Sequence, residues 1–296
     1  MTKYSIEQFS KITNIPKINL RTWENRYSYL IPERTDTNIR IYCDKLLVKG
    51  IKTKLLLESG YKISHVTKMS DDELKLSFNS IELDNNHSNK INYYISGLII
   101  SAINFDEYKF NILFEKGLKE FDFIEFYKSI ILPLLRKIGV LWLINEMSPS
   151  QEHFLSELIK QKISSLIDQV PNTPSIKEKW VLFLPENEFH EIGLLFAKYI
   201  LVSKNYHVIY LGDNVPIDTL SGVADKHKID NVLIFLLANT SISMSESHLK
   251  KCLKIFPSSK IFVVTPEKKS NFVKLSPSQI SVCNDIDSFI DLLENK

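Results

Sequence analysis

Cysteine is scarce in this chain: Cys43, Cys252 and Cys283 are the only three in 296 residues, and they lie far apart. That argues against a disulfide framework or a cysteine zinc site and suits a reducing compartment. Long apolar runs are absent as well. The nearest candidate, Ile95 to Ile103, falls short of the ~20 residues a spanning helix needs and is broken by Ser96, Gly97 and Ser101. The N-terminus has no apolar signal-peptide core. These absences lead to the expectation of a cytoplasmic protein with no membrane partner. No catalytic constellation stands out beyond the motifs below, so an enzyme is not expected.

What is present is an ordinary globular composition, 44% hydrophobic and 24% charged, with length enough for two or three domains. The net charge of +2 hides an asymmetry. Residues 1–70 hold 13 Lys+Arg against 6 Asp+Glu, and the remainder holds 24 against 29. A basic head therefore precedes an acidic body, as in proteins whose head binds a polyanion. Charge counts alone describe a solvated basic face equally well.

The head adds a pattern to the charge. Ile6, Phe9 and Ile12 share one face of a short helix that Ser5 can cap. Asn14 suits a left-handed turn. Pro16 then opens a second helix, Lys17-Ile18-Asn19-Leu20-Arg21-Thr22-Trp23-Glu24-Asn25-Arg26-Tyr27. Two short helices joined by a turn have helix-turn-helix geometry. Leu30 to Tyr42 reads as a β-ribbon with a Thr35-Asp36-Thr37-Asn38 tip. Arg34 and Arg40 on such a wing face phosphates, and Lys17, Asn19 and Arg21 lie nearest to base edges if the helix enters a major groove. Arg26 and Tyr42 complete the candidate DNA-binding set. Trp23 reads as core.

The run Leu20-Arg21-Thr22-Trp23-Glu24-Asn25-Arg26-Tyr27, then Pro32-x-Arg34-Thr35, then Arg40-Ile41-Tyr42, resembles the winged helix of the MerR regulators. Its Trp-Glu-x-Arg-Tyr form looks like the branch that carries a cobalamin-binding domain, the CarA/CarH type. Where that family has Gly-Tyr at the wing tip, this chain has Asn38-Ile39. Asn can supply the positive φ that glycine would.

Ser77 to Lys90 is polar, Asn/Ser-rich and without period, and is expected to be a linker. Four helical segments follow, near 91–103, 106–119, 122–145 and 149–168. Ser148, Pro149 and Gln151 form a capping box for the last. Short loops suggest an antiparallel four-helix bundle. Within it, Trp142 is followed after nine residues by Glu152-His153. This resembles the Trp-x9-Glu-His signature of the helical cap in cobalamin-binding MerR proteins, where the tryptophan packs over the upper face of the cofactor. In light-responsive members a histidine follows that tryptophan. Here Leu143 stands there, which argues against a light switch of that type.

From Trp180 onward, strands near 180–184, 207–211, 231–237, 260–264 and 279–283 alternate with helices near 191–204, 216–227, 245–255 and 285–294. That alternation predicts a doubly wound parallel sheet of flavodoxin-like order. At the end of its first strand stands Glu188-x-His190-x-x-Gly193. About 0.02 matches to acid-x-His-x-x-Gly are expected by chance in this composition, so the motif is worth following. One ring nitrogen of His190 can face a metal-centred cofactor while Glu188 holds the other, and Gly193 lets a bulky ligand approach. The motif resembles that of corrinoid-binding domains, usually Asp-x-His-x-x-Gly. The resemblance implies His190 as the lower axial ligand of the cobalt of cobalamin (adenosylcobalamin). Two tail-contacting motifs of that family depart here. Phe235-Leu236-Leu237 replaces a Ser-x-Leu, and Thr265-Pro266 replaces a Gly-Gly.

The expected architecture is thus multidomain, α and α/β. It comprises a winged helix-turn-helix head (1–75), a four-helix bundle (90–170) and a flavodoxin-like cobalamin-type domain (178–296). The expected function is transcriptional regulation, with repression implied by the family. Expected partners are double-stranded promoter DNA and further copies of the chain, as homodimer or homotetramer. An alternative is a cofactor-free regulator whose degenerate cobalamin-type domain serves oligomerisation or binds a partner protein. A second alternative, a corrinoid methyltransferase subunit, sits badly with the basic head.

Overall fold

The computed structural model describes residues 3–83, 86–143, 148–171, 177–237, 242–266 and 278–294, with the side chains of 140–143, 242 and 294 excepted. They form two compact units, 1–155 and 156–296.

The first unit begins with β1 (Lys3–Ser5), α1 (Ile6–Thr13), α2 (Lys17–Tyr27), β2 (Glu33–Arg34) and β3 (Arg40–Cys43). Ser5 and Gln8 cap α1 reciprocally, and Asn14 leaves it in the left-handed conformation at φ 55°. The strands make an antiparallel sheet of order β1-β3-β2. Glu33 pairs with Ile41 and Arg34 with Arg40. The ribbon closes through Asn38 N–H to the Thr35 carbonyl at 2.8 Å, with Asn38 at φ 62°. Asparagine therefore fills the role of the missing tip glycine. Phe9, Leu20, Trp23 and Tyr42 are buried beneath these elements.

α3 (Asp44–Glu58), α4 (Ile63–Val66) and α5 (Asp71–Ser80) follow, then a 3-10 turn, Ile81–Leu83, and α6 (His87–Ile103). The expected linker is thus mostly helical, which is a correction. Ser70 and Glu73 form a capping box that starts α5, and Asn86 caps α6 through the Ser88 and Asn89 amides. The polar residues read as linker are in large part caps and exposed helix faces. Leu74, Phe78 and Ile81 are buried among them, and α3 packs against both α5 and α6.

α7 (Glu107–Glu120) is capped by Asp106 and α8 (Phe123–Phe126) by Asp122. A π turn, Tyr127–Ile131, carries α8 into α9 (Leu132–Leu143). The π turn ends two residues before Pro133, which has no N–H to give the ladder. α10 (Pro149–Asp168) starts at Ser148 as predicted, with the Gln151 amide donating to Ser148 Oγ at 3.3 Å. The division between the two units falls inside α10. Residues 144–147 lie between Trp142 and Glu152 in the sequence. These residues and the side chains of Trp142 and Leu143 lie outside the described residues.

The second unit holds β4 (Lys179–Pro185), α11 (Glu191–Ser203), β5 (His207–Val215), α12 (Ser221–Ala224), β6 (Asn231–Phe235), α13 (Ile242–Ile255), β7 (Lys260–Val264), β8 (Ile280–Cys283) and α14 (Ile286–Glu294). The sheet is parallel throughout, in order β5-β4-β6-β7-β8, the flavodoxin-like order. The helix expected over 216–227 is a 3-10 turn, Ile217–Leu220, followed by the four residues of α12. Central strands covered on both faces need apolar residues throughout, and Trp180 to Leu184 are fully buried.

Candidate functional site

α2 turns Leu20 and Trp23 inward and leaves Lys17, Asn19, Arg21 and Arg26 exposed. Lys17 pairs with Glu7 of α1 at 2.5 Å. The Arg26 guanidinium lies over the Tyr27 ring, 5.3 Å from its centroid. A helix with this polar face can enter a groove of duplex DNA.

The wing arginines serve a second purpose that sequence reasoning missed. Glu24 of α2 accepts from Arg34 at 2.7 Å through Oε1 and from Arg40 at 2.6 Å through Oε2. Arg34 also donates to Asn38 Oδ1 at 2.8 Å. One carboxylate therefore ties both strands of the wing to the helix. Burial acts to raise the Glu24 carboxyl, but the hydrogen bonds from Arg40 and Arg34 outweigh it and hold it below its usual value of 4.5. A carboxylate with a lowered folded pKa adds stability above its unfolded value and loses it as pH falls through the folded one. Acidification from about pH 5 to about pH 3 should therefore lower the Tm of the wild type more than that of Glu24→Gln. Parallel slopes in thermal melts would remove the clamp from the account.

Tyr42, included in the DNA-binding set, does not face solvent. It is fully buried, with its ring 4.2 Å from that of Phe9. Its hydroxyl has no hydrogen-bond partner among the described residues, and burial pushes its pKa up to about 12. It supports the wing from inside. Alternating strand faces explain this, since Arg40 and Tyr42 share a face while only the longer Arg40 reaches Glu24 and solvent.

In the second unit, Glu188, Phe189 and His190 form the turn between β4 and α11, at the carboxyl edge of the sheet. Glu188 is 1% exposed. Its Oε1 accepts from the Phe189 amide at 3.1 Å, the His190 amide at 3.2 Å and His190 Nδ1 at 2.5 Å. Its Oε2 accepts from the Leu237 amide, past the end of β6, at 2.7 Å. The Asn214 amide donates to the Glu188 carbonyl at 3.3 Å, and Asn214 Oδ1 accepts from the Asn187 amide at 3.1 Å. The turn is thereby tied to β5 and to β6. Glu188 does more than orient an imidazole: it bridges two strand ends. Its extra methylene over aspartate spans that gap.

The His190 side chain is 61% exposed, and the neighbouring Phe189 is 62% exposed. With Nδ1 committed to Glu188, Nε2 is the nitrogen directed away from the carboxylate. Among the described residues, no three His, Cys, Asp or Glu side chains converge to hold a metal ion. A metal at His190 would have to bring most of its own ligands, as a macrocycle does. Gly193 is occupied differently from expectation. A Cβ placed on it would stand 2.9 Å from Cε1 of Phe235, so the absent side chain makes room for this phenylalanine. The only sequence signal was the missing serine at that position.

Glu152 closes the first turn of α10 and His153 follows it, 74% exposed and with its Nδ1 3.5 Å from Glu152 Oε2. Ala238, Asn239 and Thr240, which follow β6 in the sequence, lie outside the described residues.

Comparison with known proteins accords with this geometry. Residues 4–73 match the family model of MerR helix-turn-helix regulatory proteins, and residues 94–167 match a B12-binding-domain model. The chain is 23% identical to the transcriptional repressor CarH of Myxococcus xanthus over 86% of this chain and 85% of that one. It is 26% identical to CarA of the same organism, over 83% and 82%. The structure resembles that of the monomethylamine corrinoid protein of Methanosarcina barkeri, with TM-score 0.50 and 16% identity over 67% of this chain and 96% of that one. That likeness is one of fold. No described helix is long and apolar enough to cross a membrane. The chain thus combines a head similar to MerR helix-turn-helix regulatory proteins with a region similar to a B12-binding domain, and the two regulators it resembles over most of its length are described as transcriptional repressors.

Proposed function

We propose that this regulator is a repressor whose DNA binding is set by a corrinoid at His190. The observation that carries the reading is the buried Glu188 carboxylate holding Nδ1 of an exposed imidazole. The same arrangement, a carboxylate behind a ligating histidine, fixes tautomer and ring orientation at metal centres. In this assignment residues 1–75 bind the promoter, 90–170 cap the cofactor and 178–296 hold it. Lys17, Asn19 and Arg21 approach base edges, and Arg26, Arg34 and Arg40 approach phosphates. Trp142, Glu152 and His153 contribute the cap. Adenosylcobalamin, the ligand to be tried first, would supply a cobalt whose lower position a protein nitrogen can fill.

The fit is uneven. The cobalt-facing side suits the group, because His190 is anchored and open. The side beneath it suits a nucleotide tail poorly, because Phe235 fills the space at Gly193. That second observation favours an alternative in which the domain holds no cofactor and serves assembly alone.

Oligomerisation would couple cofactor to DNA by multivalency, since linked heads bind a two-fold site far more tightly than single ones. Gel shift and sedimentation in the dark, with and without adenosylcobalamin, should show larger oligomers and at least about tenfold tighter promoter binding with the cofactor. DNA affinity indifferent to both cofactor and oligomer size would sink the reading.

A further inference from the structure

We propose that the His190 site prefers a corrinoid without its nucleotide tail, a cobinamide-type ligand, over complete cobalamin. This deepens the corrinoid reading above and rests on it. Cobalamin carries its own lower base on a nucleotide tail attached to the ring. A protein imidazole that takes the lower cobalt position displaces that base. The displaced tail must then find room on the protein beneath the ring.

The room beneath His190 is filled by this chain's own side chains. Gly193, near the start of α11, has the Phe235 ring against its backbone, with Cε1 2.9 Å from where a Cβ would be. Phe235 ends β6 and is 2% exposed. The amide of Leu237 is held by Glu188, so the backbone there is pinned to the turn that carries His190. Packed interiors admit a new group only by expelling an old one, and an expelled Phe235 would lose its burial.

Above this filled layer the site is open, with exposed rings at Phe189 and His190. An aromatic surface beside one directed nitrogen suits a flat macrocycle bound through its metal. It makes no provision for a bulky appendage, since Phe235 already fills the space against Gly193. Two features thus point the same way: the filled space at Gly193 and the Leu237 amide pinned to Glu188.

The test uses the full-length protein in equilibrium dialysis, in the dark, against aquacobinamide and against aquacobalamin separately. Visible spectra are read beside His190→Ala. Aquacobinamide should bind with a spectral change that His190→Ala abolishes, and aquacobalamin should bind at least about tenfold more weakly. Cobalamin binding as tightly as cobinamide, or more so, overturns the preference and leaves the corrinoid reading standing. Binding of neither overturns both. Phe235→Ser, verified as folded by its thermal transition, should narrow the ratio between the two ligands. An unchanged ratio in the folded variant overturns the role given to Phe235. The wild-type comparison decides the preference even if that variant does not fold.

Discussion

Glu188→Ala should be the most damaging single substitution in the C-terminal unit. The buried carboxylate accepts four hydrogen bonds, three of them from backbone amides and one from His190. Removing it leaves the Leu237 amide at a strand end without its acceptor and releases the turn that carries His190. Bonds to an ionised acceptor are worth about 1.5–3 kcal/mol each, and an abandoned buried donor costs about 1–3 kcal/mol. These terms overlap, because the loosened turn can admit water. A net loss of about 3 kcal/mol is expected, or roughly 10 °C in Tm for a unit of this size. Corrinoid retention should fall as far as in His190→Ala, since an untethered imidazole loses its orientation. Glu188→Asp separates the two roles. Its shorter arm can reach His190 Nδ1 or the Leu237 amide, but not both in the present backbone. It should recover either the stability or the corrinoid spectrum, and thermal melts with dialysis would show which. A shift below about 1 kcal/mol for Glu188→Ala would mean that the turn is held by other contacts.

The prediction turns on a contact that sequence could only half disclose. Glu188 and His190 are two residues apart, so their pairing follows from local geometry. Leu237 lies 49 residues away, and its amide has no side-chain signature. Strand order was legible because short apolar runs alternating with helical patterns leave few right-handed arrangements. The head was legible for another reason: its caps and turns, Ser5, Asn14 and Asn38, are residue types with specific backbone roles. Those same residue types misled at Ser77 to Lys90. Capping residues and linker residues are chemically alike, and only burial of Phe78 and Ile81 tells them apart. Phe235 was visible as a departure from a motif. That it packs onto Gly193 required coordinates, because the two residues lie far apart in sequence and neither side-chain type names its neighbour.

Tyr42 carries the second large effect, and it separates a structural residue from a DNA contact. Tyr42→Ala removes one of the largest fully buried side chains among the described residues, packed on Phe9 at the point where β1, β3 and α1 meet. Deleting a buried aromatic ring typically costs about 3–5 kcal/mol, a large share of what a head of this size has to lose. The head should unfold at a lower temperature, and promoter binding should fail with it. Tyr42→Phe should behave in the opposite way. The hydroxyl has no hydrogen-bond partner among the described residues, so removing it abandons no partner and relieves a buried polar group of its desolvation. Stability should hold or rise by up to about 1 kcal/mol, and promoter affinity should stay within about twofold. Arg21→Ala makes the contrast, because Arg21 is exposed on α2. Its loss should leave the melting curve in place and weaken promoter binding by about 1–3 kcal/mol if it reads a base, with the loss confined to sequences carrying that base. If Tyr42→Phe instead weakened binding while melting normally, the hydroxyl would reach DNA. The wing would then have to open in the complex, swinging β3 away from Phe9.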